Sequence, residues 1–436
     1  MINFRKILFY INDAIKGSTI KNHINDIRSI VSNPESEKSK NDRLKREKEI
    51  LEYAINNVSF YRKNVGNKTE VSLLEFPVIN KNIIRDNIDE FLSEGIDKSS
   101  LFRVVTSGST GTPFSVYHDK KKKERNSADT IYFASLAGFE IGTRLNYLKI
   151  WTKVNKKSKL KAWAENIVPI DVTQLSDKNI SILIDNFNKV STKQAFLGYS
   201  SALESICRYI ENSKIDNNKR ISNVSSIIAM SEGLSEYAKK SIHQYFGVFP
   251  ASRYSNVENG IIAQQLVDGL NTFIVNWASY FVEILKIDSN EREELGKIGR
   301  IVVTDFFNYA LPMIRYDTGD IGTLDWDDKK EKIVLIKVEG RKMDSVFNTS
   351  GNLVSSFTIT NNMWMYSEIK QYQFIQTGKK SYLFKLNLEG KFEREALLIS
   401  EFKNYFGLDA NISVEYVDEI PLLNSGKRKK VMNISK

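Results

Sequence analysis

Cysteine is nearly missing from this sequence: Cys207 stands alone among 436 residues. A disulfide framework within one chain is thereby excluded, and so is a cysteine zinc site. Histidine is scarce too, and His23, His118 and His243 are too scattered to suggest a multi-histidine metal centre. No apolar run approaches the roughly 20 residues that span a bilayer. No repeat recurs at a period of roughly 20–50 residues. A lone thiol of this kind fits cytoplasmic residence.

What is present is the composition of a globular protein, 41% hydrophobic and 27% charged. The length exceeds one small core and suggests two or three domains. A formal net charge of +10 suits nucleic acid, an acidic membrane surface or an anionic small molecule such as a nucleotide. Aromatic residues are not interleaved with Arg and Lys in a nucleic-acid pattern, so no nucleic-acid partner is expected. The densest basic runs, DKKKKER (Asp119–Arg125) and GKRKK (Gly426–Lys430), read as solvated faces.

At the N-terminus, MINFRKILFYINDAIKG carries Arg5 and Lys6 within its apolar run and no small-residue cleavage site follows, so a signal peptide is not expected. Phe4, Ile7, Leu8, Ile11 and Ile15 fall on one helical face. That face is expected to dock on the protein's own core; a membrane-surface helix is the other reading. Residues 32–49 read as a charged loop entering a helix, and residues 1–65 as a helical N-terminal region. From 101 to about 344, strand-like runs alternate with helix candidates at 122–137, 200–212 and 234–246, which argues an α/β architecture. The remaining stretch mixes strands with the helical EREALLISEFKNYFG. The expected fold is α/β, with a large N-terminal domain (1–342) of β-sheets flanked by helices and a small mobile C-terminal α+β domain (343–436).

Between two strand-like runs lies TSGSTGTP, Thr106–Pro113. Gly108 and Gly111 let the backbone turn sharply and approach a ligand closely. The N–H groups and the hydroxyls of Thr106, Ser107, Ser109 and Thr110 could then cradle phosphate oxygens. No Gly-Lys-Ser/Thr follows, so this is not a Walker loop, and positive charge must arrive from elsewhere. Taken alone, the loop reads first as a Ser/Gly-rich hairpin turn. Cys207 sits at core spacing and reads as an inert buried thiol; no motif claims His118 or His243.

Four more segments accompany the loop in order: RYSNVENG (253–260), RYDTGD (315–320), EGRKMD (339–344) and PLLNSGK (421–427). Together the five resemble the signature segments of the adenylate-forming (ANL) superfamily of acyl-CoA ligases, luciferases and peptide-synthetase adenylation domains. ILEYAINNVSFYRKN with FPVINKNIIRDN, and IKQYQFIQTG, resemble the phenylacetate–CoA ligase branch and its capsular-polysaccharide, CapK-like relatives. The likeness thus spans nearly the whole chain.

The resemblance implies that residues 1–342 form an adenylation domain that activates a carboxylic acid with ATP and Mg²⁺, giving acyl-AMP and pyrophosphate. The acyl group would pass to CoA or to an amine, in a surface-polysaccharide pathway. Thr106, Ser107, Gly108, Ser109, Thr110 and Gly111 would hold the phosphates, with Thr110 among the catalytic groups. Glu258 would ligate Mg²⁺, Tyr254 would lie against adenine, Asp320 would accept from the ribose hydroxyls, and Arg341 would reach the ribose or α-phosphate. Glu232 would stand near the adenine, and Lys427 would supply the missing charge from the C-terminal domain. The pivot of domain rotation would be Met343 or Asp344. A homodimer is compatible with the resemblance, and the alternative is a non-catalytic nucleotide-binding regulator on a ligase fold.

Overall fold

Four helices open the chain: α1 (Phe4–Ile15), α2 (Thr19–Ser32), α3 (Glu37–Asn57) and α4 (Ser59–Val65). The computed structural model describes residues 3–435 except 67, 69, 107–113, 152–156, 214–220, 232, 342–345, 355, 364, 367, 389 and 422–427. The charged stretch expected as a loop is mostly helix, because α3 begins at Glu37 under the Ser36 cap. Its Glu, Lys and Arg side chains lose little freedom in a helix and need no burial to form one. The face of α1 bearing Phe4, Ile7, Leu8, Ile11 and Ile15 is exposed rather than docked on the core. Its polar side is the anchored one. The Asp13 carboxylate accepts from the Ile20 and Lys21 N–H groups, otherwise unpaired donors in the first turn of α2.

Helices α5 (Lys81–Asp86) and α6 (Ile88–Phe91) lead to a hairpin of β1 (Phe102–Thr106) and β2 (Phe114–His118), followed by α7 (Lys120–Leu136). The basic run at the start of α7 is a solvated face only in part: Lys120, Lys121 and Lys123 are exposed, but the rest is not. Helical spacing turns Lys122, Arg125 and Asp129 inward, all fully buried. Lys122 pairs with Asp305 at 2.6 Å, and Arg125 with Asp26 at 2.6 Å and the Ser279 hydroxyl at 2.7 Å. Charges can be buried here because each meets a partner.

The parallel half of the main sheet contains β3 (Arg144–Lys149), β4 (Ile167–Asp171), β5 (Gln194–Tyr199), β6 (Val224–Met230) and β7 (Ala251–Asn256). Its crossovers carry α8 (Lys159–Ala164), α9 (Asp177–Asn188), α10 (Ser200–Asn212) and α11 (Glu236–Phe246), since parallel neighbours need long connections. The antiparallel half adds β8 (Gly260–Gln265), β9 (Phe273–Val275), β10 (Tyr280–Leu285), β11 (Gly299–Asp305), β12 (Tyr316–Asp327) and β13 (Lys332–Arg341). The order is β10-β11-β12-β13-β9-β8-β7-β6-β5-β3-β4, so parallel pairing gives way to antiparallel at β7. Cys207, on α10, is buried among Phe196, Ile206 and Ile242, and burial pushes its thiol far up.

Beyond β13 come β14 (Val346–Phe347), β15 (Leu353–Val354), α12 (Ser356–Met363), β16 (Ile369–Gln376), β17 (Ser381–Leu388), α13 (Glu395–Phe406), β18 (Asn411–Tyr416) and β19 (Val431–Asn433). A four-stranded sheet, β18-β17-β16-β19, packs on α13. Tyr382, Phe384 and Leu386 alternate inward along β17 to meet Phe402 and Phe406. The fold is therefore α/β, a large helix-flanked sheet followed by a small α+β unit.

Candidate active site

The site is built where three segments distant in sequence are stitched together. The hairpin β1–β2 pairs Thr106 with Phe114 and so brackets the phosphate-loop candidate. Ser107, Gly108, Ser109, Thr110 and Gly111 lie outside the described residues, as does the Thr106 side chain. Phe114 itself is buried in the core that also holds Tyr316. At the far end of β2, His118 Nε2 lies 2.7 Å from the Glu258 carbonyl. A carbonyl only accepts, so Nε2 carries the proton. Burial first, then the Lys122 charge, lowers this imidazole to about 4, and His118 serves as a neutral tie between hairpin and Glu258.

The segment RYDTGD supplies the second wall. Arg315 takes a left-handed backbone, φ +51°, which a bulky residue adopts only under restraint. The restraint is visible: its N–H donates to Thr304 Oγ1 at 3.0 Å, and its guanidinium reaches the Phe76 and Asn290 carbonyls at 3.3 and 3.2 Å. Tyr316 thereby starts β12, fully buried, with its hydroxyl donating to Glu258 Oε1 at 2.8 Å. Gly319, at φ +79°, turns the chain between Thr318 and Asp320.

Asp320 Oδ2 accepts from the Tyr254 hydroxyl at 2.9 Å. The phenol's one proton is committed there, although Thr318 Oγ1 is also 3.2 Å away. Thr318 donates to the Ile301 carbonyl and accepts from the Asp320 N–H, which fixes the turn. Burial and then the Asp320 charge hold the Tyr254 phenol well above its ordinary value, so it remains a donor. Tyr316 is held up in the same way by burial and Glu258.

Glu258 follows the carboxyl end of β7, at the switch from parallel to antiparallel pairing, a position where α/β sheets open a crevice. It is 1% exposed. Besides Tyr316, its Oε1 faces the Lys81 ammonium at 2.7 Å. Lys81 is a site residue that sequence reasoning missed. Ile79 bridges to Tyr316, its N–H donating to the Arg315 carbonyl at 3.1 Å while the Asp317 N–H donates back at 2.7 Å. Asn80 then caps α5 through the Asn82 and Ile83 N–H groups, leaving Lys81 first in the helix. The signal was present in FPVINKN: a lysine directly after an N-cap opposes the helix dipole and calls for a nearby carboxylate.

Of the sequence-predicted residues, Tyr254, Glu258 and Asp320 are therefore brought into one cluster. The Arg341 backbone pairs with Asp320 across β12–β13, placing that residue beside the cluster; its side chain is outside the described residues. Glu232, Met343, Asp344 and Lys427 also lie outside them. Among the described residues, no group of three or more His, Cys, Asp and Glu is placed to hold a metal ion.

Residues 346–434 match the CapK C-terminal domain family. The chain is 23% identical over 367 residues to Protein CapK of Staphylococcus aureus, covering 81% of this chain and 78% of that one. Among solved structures it resembles 2-hydroxyisobutyryl-CoA ligase in the postadenylation state, in complex with R3-HIB-AMP. The TM-score is 0.71 at 14% identity, over 92% of this chain and 90% of the other. It also resembles amide bond synthetase McbA from Marinactinospora thermotolerans, with TM-score 0.56 at 15% identity, over 78% and 70%. At such identities the structural likeness is one of fold. The chain is CapK-like, with the fold of the adenylate-forming ligases.

Proposed function

We propose that this CapK-like chain is an AMP-forming carboxylate ligase, which uses MgATP to turn a carboxylic acid into an acyl-adenylate and hands the acyl group to a thiol or an amine. One observation carries the reading: Glu258, Tyr254 and Asp320 converge beside the β1–β2 hairpin, whose strands flank TSGSTGTP in the sequence. Attack of a carboxylate on a triphosphate must overcome like-charge repulsion, so cations and aligned donors have to gather there. In this reading Ser107–Gly111 grip the departing pyrophosphate and Asp320 accepts from the ribose hydroxyls. Tyr254, tied to Asp320, presents its ring to adenine, while Glu232 and Arg341 complete the nucleotide's surroundings. Thr110 and Lys427 act on the reacting phosphate, Lys427 arriving when residues 343–436 close on 1–342 about Met343 or Asp344.

Magnesium fits the residues present. Glu258 is one buried carboxylate, enough for an ion held mainly by phosphates and water. The cation now beside it, the Lys81 ammonium, belongs to a side chain 34% exposed and thus displaceable. When bound, magnesium neutralises charge on the phosphate oxygens. Fold neighbours include both a CoA ligase and an amide bond synthetase, so thiol and amine acceptors both stand. The likeness to Protein CapK supports a surface-polysaccharide pathway.

The test is pyrophosphate release with MgATP against aryl, fatty, amino and uronic acids, each with hydroxylamine, CoA or amine acceptors. Acid-dependent release that falls about 100-fold or more in Lys427→Ala is expected for loss of a charge acting in the transition state. Folded protein that binds no ATP would sink the proposal; ATP bound without release under any acid would favour a regulator instead.

A further inference from the structure

The apolar stripe of α1 has no partner among the described residues and points away from the protein. Phe4, Leu8 and Ile15 are 71%, 63% and 80% exposed, and Ile7 and Ile11 lie between them. The helix cannot simply roll inward, because three contacts hold its other side. Asp13 caps α2, Asn3 Nδ2 donates to the Ile141 carbonyl at 2.7 Å, and Lys6 pairs with Glu140 at 3.4 Å. A second apolar pair stands beside it. On α8, Leu160 and Trp163 are 76% and 69% exposed, and the Arg5 guanidinium lies 5.6 Å from the Trp163 ring centroid.

The unpaired charges around this surface are basic, since the carboxylates of Glu140 and Glu165 are taken up by Lys6 and Lys157. Lys16, Lys21, Lys159 and Lys161 are exposed and pair with no carboxylate among the described residues. Asp13, the acidic residue of α1, is spent inward on its cap. Arg5 also borders a cavity of about 540 Å³ that Arg144 and Lys189 share, and no carboxylate lines it. Two of its lining residues, Arg144 and Asn146, each carry a buried polar atom without a protein partner, Nε and Oδ1.

We propose that the outward faces of α1 and α8 dock this protein on an anionic phospholipid surface, with the Arg5–Arg144–Lys189 cavity taking a headgroup phosphate. The shape and charge fit an interfacial helix. The apolar stripe enters the acyl boundary, Trp163 sits at headgroup depth, and the lysines meet the negative surface. A second copy of this chain would bring the same cations face to face, and repulsion disfavours that occupant. No helix among the described residues is long and apolar enough to cross a membrane, so the contact is peripheral.

The experiment is flotation of the full chain with vesicles of phosphatidylglycerol and phosphatidylcholine in equal parts, against phosphatidylcholine alone. Sedimentation equilibrium without lipid is measured in parallel. Binding to the anionic vesicles only, weakening as salt rises, is expected. A blue shift of fluorescence that disappears in Trp163→Phe should accompany it. Leu8→Asp and Ile11→Asp should each lower the partition coefficient about tenfold or more, the scale of one lost apolar side chain. Arg144→Gln should lower it about fivefold, the scale of one basic contact at such a surface. The substituted α1 positions are exposed, and matching melting curves would confirm that the variants fold. Folded protein that ignores both vesicle types overturns the proposal. So does a dimer that Leu8→Asp dissociates without any vesicle binding. Binding abolished by inorganic phosphate yet indifferent to the α1 substitutions would assign the cavity to a soluble anion and overturn membrane docking.

Discussion

Lys81 and Glu258 show how a single pair can define a site. The carboxylate is buried and the ammonium is partly exposed, so the ammonium is the member free to leave. If it holds the place of a metal ion, Lys81→Met should lower the Mg²⁺ concentration that half-saturates pyrophosphate release, because the ion then meets no competitor. Unchanged half-saturation would separate Lys81 from the metal site. Tyr254→Phe removes one hydrogen bond to Asp320 and should raise the KM for ATP about fivefold, with little change at saturating ATP. A drop confined to the rate at saturation would point to a role in the chemistry rather than in nucleotide placement.

The elements that carry these residues are held by local devices. Asn80 both caps α5 and fixes the first-turn lysine. Asn80→Ala should cost about 1 kcal/mol in urea unfolding, as a lost N-cap does, and should also weaken activity. Stability lost with activity intact would mean that α5 does not position Lys81. In the C-terminal unit, Phe402 is fully buried against Phe374, Phe384 and Leu398. Phe402→Ala leaves a cavity there and should cost about 3–5 kcal/mol. The buried residues of this cluster all come from 346–431, so residues 343–436 expressed alone should melt cooperatively, as calorimetry would show.

Across the whole molecule, the N-terminal helices are clamped to the sheet by a polar network. Asp26 on α2 receives Arg46 of α3 at 2.5 Å and Arg125 of α7 at 2.6 Å. His23 Nδ1 lies 3.4 Å from the Arg125 guanidinium, a contact that only an unprotonated nitrogen can accept. Burial first, then Arg125, lowers His23 to about 4. In the unfolded chain it titrates near 6.5, so the unfolded state binds the extra proton between those values. Stability from this group is present above about pH 6.5 and lost as pH falls toward about 4. Denaturant unfolding across that window should show the loss, to which His118, also lowered to about 4, contributes in the same sense, so His23→Gln should remove only part of it. An unchanged slope in the variant would assign the acid sensitivity to other groups.

The alternation of strands and helices was legible in the sequence, because burial on one face writes a period of two or of about 3.6 into the residues. The candidates 122–137, 200–212 and 234–246 accordingly lie close to α7, α10 and α11. Glu258, Tyr254 and Asp320 were singled out for a different reason, the resemblance of their segments to those of the adenylate-forming enzymes, and the fold brings them into one cluster. Lys81 was not read, because its reason lies 177 residues away in Glu258 and local spacing carries no such distance. The burial of Lys122 and Arg125 was misread on the same ground: a run of lysines looks solvated until Asp305, Ser279 and Asp26 are placed around it. The sequence alone also determined that α1 is amphipathic, but not which side faces inward. Only tertiary structure decided that, because the cap that Asp13 makes on α2 holds the polar side in and leaves the apolar stripe to solvent.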